Sequence, residues 1–167
     1  MAKKKAVIRK GDKVKVRGEE MDFQDCIQFA NNCRTVFVAT IDGNRPRVRP
    51  LALQFADKGG FYFQTEPVKQ FYKQMKANKN VELCFYNSEG GGLGKVMRVS
   101  GEVEFVNDLG LKAKLIQERP FFRALGIQKP DDPLFVLFRV KKGEAFFWTM
   151  ADNMKESEIE IIRFDCR

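Results

Sequence analysis

The chain has 167 residues, 44% of them hydrophobic, and 30 Lys and Arg against 22 Asp and Glu give it a net charge of +8. That length and composition fit one domain with a buried core, and no apolar run reaches the length of a membrane-spanning helix. There is no histidine, and the four cysteines are scattered without a Cys-x-x-Cys pair, so a disulfide framework, a zinc site and a histidine general base are not expected.

The first 20 residues contain eight Lys or Arg and three Asp or Glu, so they carry +5 of the +8. They read as a basic N-terminal tail ahead of a single domain over residues 21–167. Such a tail predicts no more than weak, non-specific contact with nucleic acid. Its lysines are not followed by the apolar segment of a secretory leader, and a soluble, cytoplasmic protein without a membrane partner is expected. Val14 and Val16, alternating with charges, suggest a short edge strand.

The first regular element begins at Asp22, a good N-cap. Phe23, Cys26, Ile27, Ala30 and Cys33 then recur at helical spacing. Cys26 and Cys33 share one face of that helix and read as core thiols. Arg34 to Ile41 is β-branched and aromatic and predicts a strand. Asp42-Gly43-Asn44 turns the chain into a second strand, Arg47 to Phe55. A further turn at residues 57–60 leads to a third, Phe61-Tyr62-Phe63-Gln64-Thr65. Thr65 is expected to cap the next helix, whose buried stripe is Val68, Phe71, Tyr72 and Met75 and which ends at Asn78. Val81 to Tyr86 is a fourth strand. Residues 88–94, with three consecutive glycines, form a loop, and Val96 to Val106 is a long fifth strand.

A short helix follows from Asn107 to about Gln117, then an irregular or helical stretch to Gly126 and a stiff connector, Lys129-Pro130-Asp131-Asp132-Pro133. Leu134 to Val140 and Glu144 to Thr149 are expected to form a hairpin around Lys141-Lys142-Gly143, with a last strand from Ile159 to Phe164. The sum is mainly β with α: a split antiparallel β-barrel of six to seven strands with flanking helices.

The second strand carries Pro46-Arg47-Val48-Arg49-Pro50-Leu51. Alternation sets Arg47, Arg49 and Leu51 on one face. Pro50 cannot donate to a ladder, so the strand is either broken or at an edge there. The following helix adds Lys69 and Lys73, four residues apart on one side, near a helix start that favours anions. Together these residues suggest a phosphate site. Trp148, the single tryptophan, reads either as core or as a stacking wall. The glycine loop lacks the Gly-Lys-Ser/Thr ending of a P-loop.

Several segments, in this order and spacing, resemble the pyridoxamine 5′-phosphate oxidase-like, FMN-binding split-barrel superfamily over about residues 22–150, nearest its short nitroimidazole-resistance-like branch. They are Phe37-Val38-Ala39-Thr40, Pro46 to Leu51, Phe61 to Thr65, Lys69 to Asn78 and Arg98-Val99-Ser100-Gly101-Glu102-Val103. The resemblance implies a homodimer with FMN at the subunit interface and a small-molecule substrate. Arg47 belongs to the same cationic strand. Arg49 would contact the phosphate or ribityl chain, and Pro50 and Leu51 would lie along the isoalloxazine. Gln64 and Thr65 would stand beside ring and phosphate, with Lys69 and Lys73 near the phosphate. Trp148 would reach the flavin from the partner subunit. Thr149 to Asn153 replaces the Arg- and His-containing segment with which the oxidase grips pyridoxal phosphate, which argues against that substrate. The expected activity is flavin-dependent oxidation or reduction of a small organic molecule. The alternatives are a deazaflavin in the same pocket or a non-catalytic flavin-binding or storage protein.

Overall fold

The computed structural model describes residues 21–88 and 94–166. The basic tail and most of the glycine loop, with the expectations attached to them, lie outside the described residues.

Helix α1, Phe23–Cys33, starts in a capping box: the Asp22 carboxylate accepts from Asp25 N–H, and the Asp25 carboxylate accepts from Asp22 N–H. It buries Cys26, Ile27 and Ala30, the face its spacing predicts. Arg34 ends it at φ 58, returning its N–H to Ala30 O, and the chain enters a strand without a linker.

Seven strands follow: β1 Thr35–Asp42, β2 Arg45–Asp57, β3 Gly60–Thr65, β4 Asn80–Asn87, β5 Lys95–Val106, β6 Val136–Thr149 and β7 Ile162–Asp165. They form one antiparallel sheet in the order β3-β2-β1-β4-β5-β6-β7, and β3 also pairs with β6. The first six strands therefore close into a barrel, and β7 extends the sheet beyond it. Between strands lie α2, Gln70–Ala77, and then α3, Leu109–Glu118, and α4, Phe121–Ala124. Among the described residues no helix is long and apolar enough to cross a membrane.

The barrel interior is aromatic. Phe61, Phe63, Phe85 and Phe138 are fully buried with Val36, Val38, Leu83, Met97 and Val99. Phe23 of α1 stacks on Phe164 at 4.6 Å and meets Phe61 edge-on at 5.7 Å, so the helix plugs the barrel rather than lying on it. Asn31 fixes its other end by exchanging two hydrogen bonds with the Ala56 backbone, each 2.9 Å. A second, smaller core under α3 and α4 gathers Leu115, Ile116, Phe122, Ile127, Phe135 and Leu137.

Three expectations are corrected. Residues 136–149 are not a hairpin but the single strand β6. Its first half pairs with β3 and β5 and its second half with β5 and β7. Between Gly101↔Gly143 and Val103↔Val140 the register slips, leaving one extra residue on β6, a bulge that bends the strand around the barrel corner. A Cβ on Gly143 would collide with Ser100 O, so Gly143 permits a close crossing rather than a turn. Thr65 does not cap α2: it ends β3 fully buried, and Lys69 holds the N-cap position without a side-chain bond. Asp108, not Asn107, caps α3, accepting from Leu111 N–H at 2.9 Å.

Candidate functional site

Strand β2 has 13 residues and β3 only six. β3 pairs with β2 from Leu53 onward, whereas residues 45–52 pair with β1 alone. Pro50, opposite Phe37, therefore stands on a free sheet edge, as its missing N–H requires.

Arg49 points to the barrel mouth beneath α2. Its Nη1 donates to Val38 O at 3.0 Å and Thr40 Oγ1 at 2.8 Å, and its Nη2 donates to Gln74 Oε1 at 2.9 Å. Thr40 Oγ1 also donates to Gln74 Oε1, at 2.7 Å, and the guanidinium lies 4.7 Å from the Phe71 ring centroid. Arg49 thus ties β1, β2 and α2 together. Every one of these acceptors is neutral, and among the described residues no carboxylate pairs with it. Burial, and after it the nearby Arg47 guanidinium, pulls the Arg49 pKa below its usual value. The site holds a half-buried positive charge with a like charge beside it, which is an arrangement that attracts an anion.

The other expected cations are less concentrated. Arg47 is exposed and pairs with Asp42 at 3.3 Å. Lys69 pairs with Glu66, and Gln64 Nε2 donates to Glu66 Oε1 at 3.0 Å. Burial works to raise the Glu66 carboxyl, but the bonds from Lys69 and Gln64 outweigh it and hold it below the usual range. Lys73 is exposed, while Phe71, Gln74 and Met75 form the buried face of α2. At 100° per residue Lys73 looks away from Arg49, so a single chain does not bring Lys73 and Arg49 together.

Among the described residues, two buried polar atoms on adjacent strands have no hydrogen-bond partner: Gln54 Oε1 and Thr65 Oγ1. Gln54 sits where the β2–β3 register shifts, between Leu53 and Phe55. Sequence reading passed over it, and over Gln74. In both cases the available signal was an amide inside an otherwise apolar pattern.

The outward face of the sheet is unusually apolar near this edge. Val48 is 65% exposed and Phe37 47%, and Pro46, Ala39 and Ile41 line a shallow cavity of about 540 Å³ that runs across the sheet to Ser100 and Glu144. Trp148 is half-buried and belongs to neither core. It walls a separate cavity of about 320 Å³ with Arg98, Phe146 and Asn153. It lies twelve residues along β6 from Val136, the register partner of Thr65, so one chain holds Trp148 apart from Gln64 and Thr65. Among the described residues no group of His, Cys, Asp and Glu could hold a metal.

The family model for pyridoxamine 5′-phosphate oxidase matches residues 24–149. A pyridoxine/pyridoxamine 5′-phosphate oxidase from Allorhizobium ampelinum is 31% identical over 118 residues, 69% of this chain; the chain spans about half of that relative, 55% of its length. A NimC/NimA family protein from Clostridium acetobutylicum has a solved structure that superposes with a TM-score of 0.68 at 25% identity, covering 84% of this chain and 92% of that one. An FMN-binding protein related to pyridoxamine 5′-phosphate oxidase, from Nostoc punctiforme, shares the fold at a TM-score of 0.66 and 14% identity, over 87% of this chain and 98% of that one. With the match running from α1 to the end of β6, this chain belongs to the pyridoxamine 5′-phosphate oxidase family.

Proposed function

We propose that this protein is an FMN-binding oxidoreductase that acts on a small organic molecule as a homodimer, with each flavin held between two copies of the chain. The observation that carries this reading is Arg49: a half-buried guanidinium with only neutral acceptors, standing beside the unpaired edge at Pro50 and Leu51.

The residues present fit such a group. Arg49, with Arg47 beside it, would take the phosphate. Pro50 and Leu51 would offer main-chain groups along the ring. Gln54 Oε1 and Thr65 Oγ1, without a partner among the described residues, supply polar atoms that suit a ligand or water. Gln64 and Lys69 stand at the same strand end. Lys73, on the solvent side of α2, contributes only long-range attraction. The exposed apolar surface of Phe37, Val48 and Pro46 favours burial against a second copy, and that pairing would bring Trp148 of the partner subunit toward a flavin that its own chain cannot reach. Bound flavin supplies hydride acceptance and donation. The chain supplies binding, orientation and charge, which is consistent with a sequence that has no histidine.

The test is the absorption spectrum of the freshly purified protein, with mass spectrometry of what heating releases and light scattering for assembly. A yellow dimer that releases FMN and is bleached by a nicotinamide or substrate reductant supports the proposal. Colourless protein that ignores added FMN overturns it. Preference for a deazaflavin would change the cofactor but keep the site, and a bound flavin that no reductant reaches would make the protein a flavin store.

A further inference from the structure

A different cavity, of about 520 Å³, opens where α2 ends and α3 begins, bounded on its third side by the connector into β6. That volume is within the about 300–1,000 Å³ usual for small-molecule sites. Its wall is partly aromatic: the Tyr72 and Phe105 rings meet edge-on at 5.4 Å, and Phe135, mostly buried in the second core, borders it. Tyr72 and Lys76, four apart on α2, face it together.

Lys112 of α3 lines the same cavity and is only 8% exposed. Its ammonium donates to Phe135 O at 2.9 Å and lies 5.3 Å from the Phe135 ring centroid. An ammonium has three donors, so two remain for an acceptor in the cavity. Lys76 Nζ stands 5.6 Å from the Phe105 ring centroid. Among the described residues neither lysine forms an ion pair, and burial lowers the Lys112 pKa. The carboxylates that face the cavity are Asp131 and Asp132 on the connector, and one Asp132 oxygen already accepts from Leu134 N–H at 2.8 Å. The two donors left on the buried Lys112 ammonium suit one carboxylate, and the two acids on the rim disfavour a dianion. The aromatic wall suits a flat ring.

We infer that this cavity is a second ligand site, separate from the β2 edge, that takes a small aromatic monocarboxylate. The carboxylate accepts from Lys112, and the ring packs against Tyr72 and Phe105.

The experiment titrates the full chain with 2-naphthoate and with its neutral counterpart 2-naphthamide by calorimetry, alongside Lys112→Met and Lys76→Met. Lys112→Met keeps most of the stem and removes the charge. Naphthoate should bind and naphthamide should not. Lys112→Met should weaken naphthoate by about tenfold or more, the loss of a charge-assisted contact. Lys76→Met, at the exposed side, should weaken it by about two- to fivefold. Amide chemical-shift changes on wild-type protein should centre on Tyr72, Phe105 and Phe135, a readout that stands even where Lys112→Met fails to fold. No naphthoate binding, equal binding of the amide, unchanged affinity in a folded Lys112→Met, or shift changes centred elsewhere would each overturn the inference.

Discussion

The two halves of β2 are built from one continuous stretch of chain and do opposite work. Residues 53–57 are paired with β3, and Leu53, Gln54 and Ala56 are buried there. Residues 45–52 are paired with β1 only, and most of them are exposed. The half paired with β3, with Asn31 of α1 bonded to the Ala56 backbone on its other side, belongs to the barrel wall, where hydrophobic burial fixes the register. The half paired with β1 keeps a free edge, three arginines and two prolines, features that suit a ligand. The difference is set by β3, which is too short to cover its neighbour.

Substitutions can break or sharpen that contrast. The largest effect is expected at Phe63, fully buried where β3 meets β2: Phe63→Ala should cost about 3–5 kcal/mol in urea unfolding, and a loss below about 1 kcal/mol would mean that the half paired with β3 is not the structural one. Arg49→Ala should be intermediate. It removes three hydrogen bonds to β1 and α2, so about 1–3 kcal/mol of stability should go in flavin-free protein, and FMN affinity should fall as well. Stability lost with affinity unchanged would assign Arg49 to the scaffold alone.

Val48→Asp comes next, because it touches only the outer face. Monomer stability should change by no more than about 0.5 kcal/mol, while light scattering should report loss of the dimer and, with it, of flavin. A dimer that survives would put the interface elsewhere.

The smallest effect at neutral pH lies in α1, which serves both halves by closing the barrel. Burial, with Asp25 and Asp22 adding to it, pushes the Cys26 thiol up to about 12. The folded state therefore keeps this proton when the unfolded state has lost it. The resulting stability is present below the ordinary thiol value of about 8.5 and declines as pH rises toward 12. Comparing urea unfolding of wild type and Cys26→Ala, the deficit of the variant should shrink across that window. A constant deficit would contradict a buried thiol.

Much of the fold was legible in the sequence because it is written locally. The Asp22 N-cap, the helical recurrence of Cys26, Ile27 and Ala30, and the glycine turns at 43 and 60 each depend on neighbours a few residues away. The edge at Pro50 was legible for the same reason, since proline lacks its donor whatever surrounds it. Lys141-Lys142-Gly143 misled because a glycine after two lysines has the local chemistry of a turn; only the approach of Ser100 O from β5 explains why that glycine is needed. Thr65 misled in the same way. A threonine before Glu-Pro looks like an N-cap, but β6 pairs with it through Val136 and holds it in the sheet.

By itself the sequence determined the element types, the mainly antiparallel fold and the presence of a cationic, proline-interrupted strand, because these follow from backbone geometry and short-range periodicity. Only the tertiary structure decided which cation stays uncompensated. Arg47 found Asp42, Lys69 found Glu66 and Lys73 turned to solvent, while Arg49 met only neutral acceptors beneath α2. Charge compensation depends on which groups the folded chain brings within a few ångströms: Asp42 and Glu66 lie close in sequence to the cations they meet, whereas the acceptors around Arg49 come from β1 and from α2, brought to it by the fold.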